Sequence, residues 1–258
     1  MITISCGHNA GFFSCCNAML DRIISYSRNK TFLENDIIFD SKKQYKFYNP
    51  FPDTDIRPYF FKTDLTYQCD SKIRCSSAID KTKNVYEKIG NYKSFHHLVR
   101  KYFCLSDNLE KMRKDILSEY KIDVNNTCAI YYRSTDKVGE VKIPKPEKYI
   151  KKALEIKQEN PNIKFLLQSD SHSFLKQFKS HFSEEDIIMI HEDVKKSERP
   201  IHRDSQISKE ESFHIVQKFV VIVKILSECQ HFVFDSSNVS LFCVFWRGNR
   251  DNLHQIFA

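Results

Sequence analysis

The chain has 258 residues, of which 41% are hydrophobic and 13% aromatic, and it contains nine cysteines but only five glycines. This composition is typical of a globular protein of one large or two smaller domains, and it excludes collagen-like, low-complexity and small disulfide-rich scaffolds. The 40 Lys and Arg residues exceed the 33 Asp and Glu residues by seven. Because this excess is spread along the chain, we expect no nucleic-acid partner, whereas a phosphate-bearing small molecule would suit the surface.

From the sequence we expect neither a secretory signal nor a membrane anchor. No basic segment followed by an apolar stretch opens the chain, so we expect no secretory signal. The longest apolar run, at 219–223, is far too short to cross a bilayer, so no membrane anchor is predicted. The cysteines lack CxxC spacing and a matching histidine pattern, which favours free buried thiols over disulfides or a metal cluster. We therefore expect a cytoplasmic location.

The first half of the chain begins with the pattern of an α/β protein, in which a strand, a glycine-containing turn and a helix follow one another. The predicted elements are a strand at 2–6, a helix at 12–24, a strand at 36–40, an irregular aromatic loop at 45–61, and two helices within 91–120. Ser106 and Asp107 separate those two helices, and Ser106 is a suitable N-cap.

The second half alternates strands with helices more regularly. The predicted elements are strands at 128–132, 163–168, 187–190 and 231–234, and helices at 147–157, 172–181, 210–229 and from about 237. Such alternation predicts a parallel sheet with helices on both faces, as in Rossmann-like folds. Ligands bind such sheets beyond the carboxyl ends of the strands, so the residues that follow each strand are the candidates for a site.

The segment after the first of these strands is rich in charge. Within eight residues it carries Arg133, Asp136, Lys137 and Glu140. An arginine at a strand end can make two parallel hydrogen bonds to a phosphate, and a nearby carboxylate can hold the arginine or act on a hydroxyl. A surface loop in which Arg133 forms a local ion pair explains the segment about equally well.

Two later strand ends carry small polar residues at helix starts. Ser169 and Asp170 precede one helix, and either can be its N-cap. Ser236, Ser237 and Asn238 open the last helix, where N–H groups and hydroxyls would suit a phosphate. Taken alone, capping explains each of them.

Taken together, the order and spacing of these three segments resemble the donor-binding half of the fucosyltransferase superfamily, which includes the α1,6-, nodulation and protein O-fucosyltransferases. The arginine motif of that family is approximately His-Val-Arg-Arg-Thr-Asp-Lys-Val-Gly-Thr-Glu, and this chain has Tyr-Tyr-Arg-Ser-Thr-Asp-Lys-Val-Gly-Glu at 131–140. The resemblance covers roughly residues 124–245. In the first half it is limited to the turn at Gly11 and Phe12, which looks like the glycine-containing first loop of these enzymes.

The resemblance implies a GT-B-like α/β fold in which two Rossmann-like lobes face a cleft. Residues 1–123 would form the acceptor-side lobe and residues 124–258 the nucleotide-sugar donor lobe. The implied donor-binding residues are Arg133, as the contact to the pyrophosphate, together with Tyr131, Gly11, Phe12, Ser169, Asp170, Ser236, Ser237 and Asn238.

The resemblance also implies an activity. This is the metal-independent, inverting transfer of a sugar, with fucose as the first choice, from a GDP-sugar donor substrate to a glycan or glycoprotein hydroxyl, without a cofactor. Glu140, which matches the family's suspected base after a shift of one residue, or else Asp136 would accept the proton of that hydroxyl. Lys137 would orient one of these carboxylates, and Arg133 would stabilise the departing pyrophosphate.

Three alternatives remain open at the level of sequence. The first is a catalytically inactive nucleotide-sugar-binding protein, which is favoured by Ser134 where the family has a second arginine. The second is a metal-dependent glycosyltransferase, for which Asp53 and Asp55 supply an Asp-x-Asp pair. The third is an RNA-binding module, which the basic charge and the aromatic residues support without any stacking motif.

Overall fold

The computed structural model describes residues 2–27, 37–67, 85–90, 92–134, 142–190 and 207–258. The strands within these ranges are β1 (Ile2–Ser5), β2 (Ile37–Asp40), β3 (Phe61–Lys62), β4 (Cys104–Leu105), β5 (Thr127–Tyr132), β6 (Lys164–Ser169), β7 (Ile187–Ile188), β8 (His231–Phe234) and β9 (Leu253–Gln255). The α-helices are α1 (Phe12–Ser27), α2 (Tyr92–Tyr102), α3 (Asp107–Glu119), α4 (Pro146–Glu159), α5 (His172–Lys179), α6 (Lys209–Glu228) and α7 (Asn238–Arg247). The predicted α/β class is confirmed.

The second half forms a five-stranded parallel sheet in the order β7-β6-β5-β8-β9. Its central strand β5 is buried along its whole length, as expected for a strand covered on both faces. From β5 the chain first runs outward through β6 to β7 and then returns to β8 and β9 on the other side. The strand order therefore reverses between β5 and β8, and such a switch point is where open α/β sheets bind ligands.

The helices cover this sheet on both faces. Side chains of β5 alternate between the two, so that Ile130 and Tyr132 share a core with α4 and α5, whereas Ala129 and Tyr131 face the core that includes α6 and α7. Residues 239–246 of α7 are buried on every side. A helix that is apolar all round has to be packed between two layers, and α7 is one.

The first half of the chain packs against α7 and α6. Its described strands form a parallel pair, β1 with β2, and a short antiparallel pair, β3 with β4. Helices α1 and α2 contact α7, and α3 contacts α6. A single hydrophobic core therefore runs from β1 and α1 through α7 to one face of the parallel sheet.

The structure differs from the predicted elements in several places. The two-residue strands β3 and β4 were not predicted, since an irregular loop and a helix were expected there. Strand β7 has two residues rather than four. Strand β9 was not predicted, because three residues followed by a short tail show no periodicity. The N-cap of α5 is Ser171, whose hydroxyl accepts a hydrogen bond from the Phe174 N–H at 3.3 Å, so the prediction of Ser169 or Asp170 as the cap was wrong.

Candidate active site

The predicted donor-binding residues of the second half lie at one edge of the parallel sheet. The register pairs Tyr132 of β5 with Ser169 of β6, and Tyr131 with Phe234 of β8. Arg133 and Asp170 therefore leave the sheet side by side, and Ser236 follows β8 at the same edge. Because β5 and β8 flank the switch point, Arg133 and the start of α7 stand on its two sides.

Arg133 lies close to a tyrosine of the first half of the chain. Burial raises the pKa of the Tyr48 hydroxyl, and the positive charge of Arg133 opposes that shift. The backbone of Phe12, the first residue of α1, opposes the same shift. The guanidinium, the tyrosine hydroxyl and the start of α1 therefore share one neighbourhood.

The loop after β5 is held at its first residues by the end of β6. The backbone N–H of Ser134 donates to Oδ1 of Asp170 at 2.9 Å. Burial raises the pKa of the Tyr132 hydroxyl, and the Ser134 side chain opposes that shift. Asp170 thus fixes the path of the chain directly after Arg133.

Ser169 has a local role in the same turn. It is almost fully buried, and its hydroxyl accepts a hydrogen bond from the Ser171 N–H at 3.0 Å. This contact shapes the turn from β6 into α5. Of the two residues predicted here, Asp170 is the more exposed and lies next to the loop of Arg133.

The start of α7 is built by buried hydroxyls. Ser237 is its N-cap, and Oγ accepts a hydrogen bond from the Ser240 N–H at 3.0 Å while it contacts the Ser240 hydroxyl at 2.7 Å. The Tyr86 hydroxyl donates to the Ser237 carbonyl at 3.2 Å. The first N–H groups of α7 and the positive end of its dipole lie at the switch point, where an anion would be favoured.

Ser236 is held by the last strand. Nε2 of Gln255 in β9 donates to the Ser236 hydroxyl at 2.8 Å, and Oε1 of the same side chain accepts from the Tyr86 N–H at 2.8 Å. Sequence patterns do not indicate Gln255, since it lies in a strand that shows no periodicity. Its amide nevertheless connects the switch point to the first half of the chain.

Helix α1 begins beside this edge of the sheet. The carbonyl of Gly11 accepts hydrogen bonds from the N–H groups of Ser14 and Cys15 at 2.9 and 3.1 Å. A Cβ atom at Gly11 would meet no atom within 4 Å, so the glycine leaves open space before the helix. The Phe12 ring is buried and contacts Tyr48 at 5.9 Å between ring centroids. Phe12 therefore contributes its backbone, rather than its ring, to this neighbourhood.

Four other residues were predicted at the site, which are Tyr131, Asp136, Lys137 and Glu140. Tyr131 is only 3% exposed, and its side chain belongs to the core on the α6 and α7 face. Asp136, Lys137 and Glu140 lie outside the described residues. The roles assigned to all four stay predictions.

Asp53 and Asp55 were considered as a metal-binding pair, and Asp55 has a structural role. Asp55 accepts hydrogen bonds from the Ser41 N–H through Oδ2 at 2.8 Å and from the Arg57 N–H through Oδ1 at 2.9 Å. Both oxygens are therefore used by backbone amides. Asp53 adopts a left-handed conformation with φ of 60° in the preceding turn. Within the described residues, no group of three or more His, Cys, Asp or Glu side chains could hold a metal ion.

The described cysteines are free thiols. Six of them are buried, Cys6, Cys15, Cys16, Cys128, Cys229 and Cys243, and Cys104 is partly exposed. Burial raises the pKa of the Cys15 thiol and, more strongly, that of Cys16. These two thiols next to the site are therefore protonated at neutral pH and poor nucleophiles. None of the described helices combines the length and the apolar composition needed to cross a membrane.

The fold is similar to solved structures of a fucosyltransferase. The structure is similar to that of the NodZ α-1,6-fucosyltransferase soaked with GDP-fucose, with a TM-score of 0.57 and 12% sequence identity over 95% of this chain and 91% of that chain. Fucosyltransferase NodZ from Bradyrhizobium gives a TM-score of 0.56 at 12% identity, with the same coverage. NodZ co-crystallised with GDP gives 0.54 at 11% identity over 95% and 90% of the two chains. No family model and no curated protein sequence matches.

These likenesses extend over almost the whole chain, including the first half. The predicted similarity to the fucosyltransferases is therefore confirmed at the level of the fold, in which an α/β first half packs against a Rossmann-like second half.

Proposed function

We propose that the chain is a glycosyltransferase that transfers fucose from GDP-fucose to a hydroxyl of a glycan or glycoprotein, with inversion and without a metal. The observation that carries the proposal is the position of Arg133 and the start of α7 on the two sides of the switch point. Similarity of the whole fold to a structure of NodZ soaked with GDP-fucose supports the choice of donor.

The proposed reaction is a single displacement. The acceptor oxygen forms a bond to the anomeric carbon while the bond from that carbon to the β-phosphate oxygen breaks on the opposite face. The acceptor proton passes to Glu140 or Asp136, which Lys137 orients, and GDP departs with additional negative charge. A fixed guanidinium and helix N–H groups stabilise that charge more in the transition state than in the bound donor, which lowers the barrier.

Substitution of Arg133 tests this assignment. We expect Arg133→Ala to reduce the kcat for GDP-fucose turnover by at least about 100-fold, because a preorganised donor to the developing charge is lost. Arg133→Lys should recover only part of the rate, since an ammonium cannot make the paired contact of a guanidinium. Arg22→Ala on the exposed surface of α1 is the matched control and should retain full activity.

The thermal unfolding midpoint of each variant separates catalysis from stability. An Arg133→Ala protein that melts with the parent yet transfers no sugar supports the proposal. Normal turnover by Arg133→Ala would overturn the role of this arginine. A large loss of stability would instead assign Arg133 to the structure.

Metal independence has its own measurement. Activity should survive dialysis against EDTA, because the Asp55 oxygens accept from backbone amides rather than facing an open site. Activity that is lost with EDTA and restored by Mn²⁺ would return the Asp53 and Asp55 pair to consideration as a metal site.

A nucleotide-sugar-binding protein without turnover is the second candidate. Ser134 stands where the related enzymes have a second arginine, and its N–H donates to Asp170. This candidate predicts that GDP-fucose raises the melting temperature while no free GDP appears. Release of GDP that depends on an added acceptor would exclude it.

A further inference from the structure

A cavity of about 390 Å³ lies between α1, α2 and α7. Its lining residues are His8, Ser14, Asn17, Ala18, Leu20, Asp21, Phe95, Asn238, Leu241 and Phe245. Of the predicted donor-binding residues, Asn238 alone lines this α1–α7 cavity. Its volume falls within the range of small-molecule sites.

Asn17 lines this cavity and carries an unsatisfied acceptor. Its Nδ2 donates to the carbonyl and to Oδ1 of Asn238, both at 3.1 Å. Because Asn238 offers two oxygens, the amide nitrogen of Asn17 has to face them, and this orientation leaves Oδ1 of Asn17 buried without a donor. A buried carbonyl oxygen in this state costs free energy until a ligand or water donates to it.

Asp21 lies one turn after Asn17 on the same face of α1 and lines the same cavity. Within the described residues its carboxyl has neither a hydrogen-bond donor nor a cationic partner, and burial raises its pKa to about 6. The described lining contains no lysine or arginine. The cavity thus holds two acceptors and an uncompensated negative charge at neutral pH.

The rest of the lining limits the kind of ligand. Apolar side chains of α7 and the ring of Phe95 form one wall. Phe95 and Phe245 are stacked with centroids 4.8 Å apart and planes at 7°, which makes this wall rigid. His8 and Ser14 contact each other at 2.9 Å at another side. A ligand therefore needs hydrogen-bond donors with positive charge at one end and an apolar skeleton at the other.

We infer that the α1–α7 cavity binds a small primary amine with an apolar skeleton, whose ammonium group donates to the Asp21 carboxylate and to Oδ1 of Asn17. An ammonium offers three donors and one positive charge, which matches both acceptors. The apolar skeleton lies against Phe95 and the α7 wall. The existence of this site does not depend on the proposed function, and Asn238 is the residue that it shares with the predicted donor-binding residues.

Binding of 2-phenylethylammonium to the whole chain tests the inference. We expect saturable binding by ligand-observed NMR, which Asp21→Asn weakens by at least about tenfold, because a charge-assisted hydrogen bond is replaced by a neutral one. The neutral isostere 2-phenylethanol should bind the parent at least about tenfold more weakly for the same reason. Asp115→Asn on the exposed face of α3 is the matched control and should bind like the parent.

A second variant keeps the charge but fills the space. Ala18→Leu places three further carbon atoms at the cavity lining and should abolish binding although Asp21 is retained. This variant decides the question if Asp21→Asn fails to fold by far-UV circular dichroism. Equal binding of the amine and the alcohol would overturn the inference. Binding unchanged by Ala18→Leu, or no binding at concentrations on the order of 10 mM, would overturn it too.

Discussion

The Asp21 carboxyl makes the stability of the folded chain depend on pH. Its pKa in the folded chain is raised to about 6 by burial, above the ordinary value of 3.8. The folded state therefore binds the proton more tightly than the unfolded state does. Stability is highest when the group is protonated in both states, and it falls as the pH rises from about 4 to about 6.

We predict that Asp21→Asn removes this fall. Relative to the parent, the variant should gain about 1 kcal/mol in the free energy of unfolding between pH 4 and pH 7, less than the full shift implies because the carboxyl is partly exposed. Urea unfolding at both pH values measures the difference. Asp115→Asn should show no such gain, and a gain equal in both variants would contradict the assignment to Asp21.

Among the glycines in the described part of the chain, Gly248 is the one with a left-handed backbone. It ends α7 with φ of 80°, and a Cβ atom there would lie 2.7 Å from Cε1 of His96. Nδ1 of His96 donates to the Phe245 carbonyl at 2.8 Å, so the same histidine satisfies a carbonyl in the last turn of the helix. Burial lowers the pKa of His96, which keeps the ring neutral.

We predict that Gly248→Ala lowers the free energy of unfolding by about 2 kcal/mol, since left-handed backbone and a steric conflict add together. Gly90→Ala is the control, because a Cβ atom there meets nothing within 4 Å. Its effect should stay within about 0.5 kcal/mol. Chemical denaturation of both variants makes the comparison, and similar losses would contradict this account of Gly248.

Among the elements, α7 depends most on its cap. Ser237 is 1% exposed, so an N–H left without its hydroxyl partner cannot turn to water. Ser208 caps α6 in the same way at 3.0 Å but is exposed to solvent. The two caps therefore have the same geometry and different surroundings.

We predict that Ser237→Ala costs about 2 kcal/mol of stability and Ser208→Ala about 0.5 to 1 kcal/mol. Melting curves of the two variants give the ratio of their losses of stability. If the two losses are equal, burial of the cap does not matter for α7. Because Ser237 also lies at the switch point, GDP binding measured beside the melting curves reports whether the donor site is disturbed as well.

The long elements were predictable from sequence because each has a clear period. Helices α4 and α6 and strands β5 and β8 follow the predicted ranges within two residues at each end. The cap of α5 was not predictable, since Ser169, Asp170 and Ser171 are all capping residues and only geometry distinguishes them. Strand β9 and its Gln255 contact were missed for lack of any local signal.

The candidate site was predictable in part for the same reason. Strand ends can be read from periodicity, so Arg133, Asp170 and Ser236 could be placed at one sheet edge. Tyr48 could not, because its contact with the arginine neighbourhood spans the two halves of the chain. The sequence around Tyr48 is aromatic and interrupted by prolines, so it predicted only an irregular loop.

At the scale of the whole molecule, the main feature is the hydrophobic core that the two halves of the chain share. The sole tryptophan, Trp246 of α7, contacts the rings of Phe13 and Phe61 from the first half, each at 6.1 Å. Its Nε1 donates to the Phe103 carbonyl at 3.2 Å. The fluorescence of this residue therefore reports contact between the two halves.

We predict one cooperative unfolding transition. Tryptophan emission and far-UV circular dichroism should give the same urea midpoint, because separating the halves would expose α7 and most of the core around it. A tryptophan transition that precedes the loss of helix would show that the halves separate before they unfold. The predicted division into residues 1–123 and 124–258 would then also hold for stability.

The position of α7 between the two halves has an evolutionary consequence. Asn17 and Asn238 are 221 positions apart and share two hydrogen bonds, and Phe95 of α2 stacks on Phe245 of α7, which is also remote in sequence. A substitution on one side of such a pair changes what its distant partner can tolerate. We therefore expect homologues of this chain to change at both members of such a pair together.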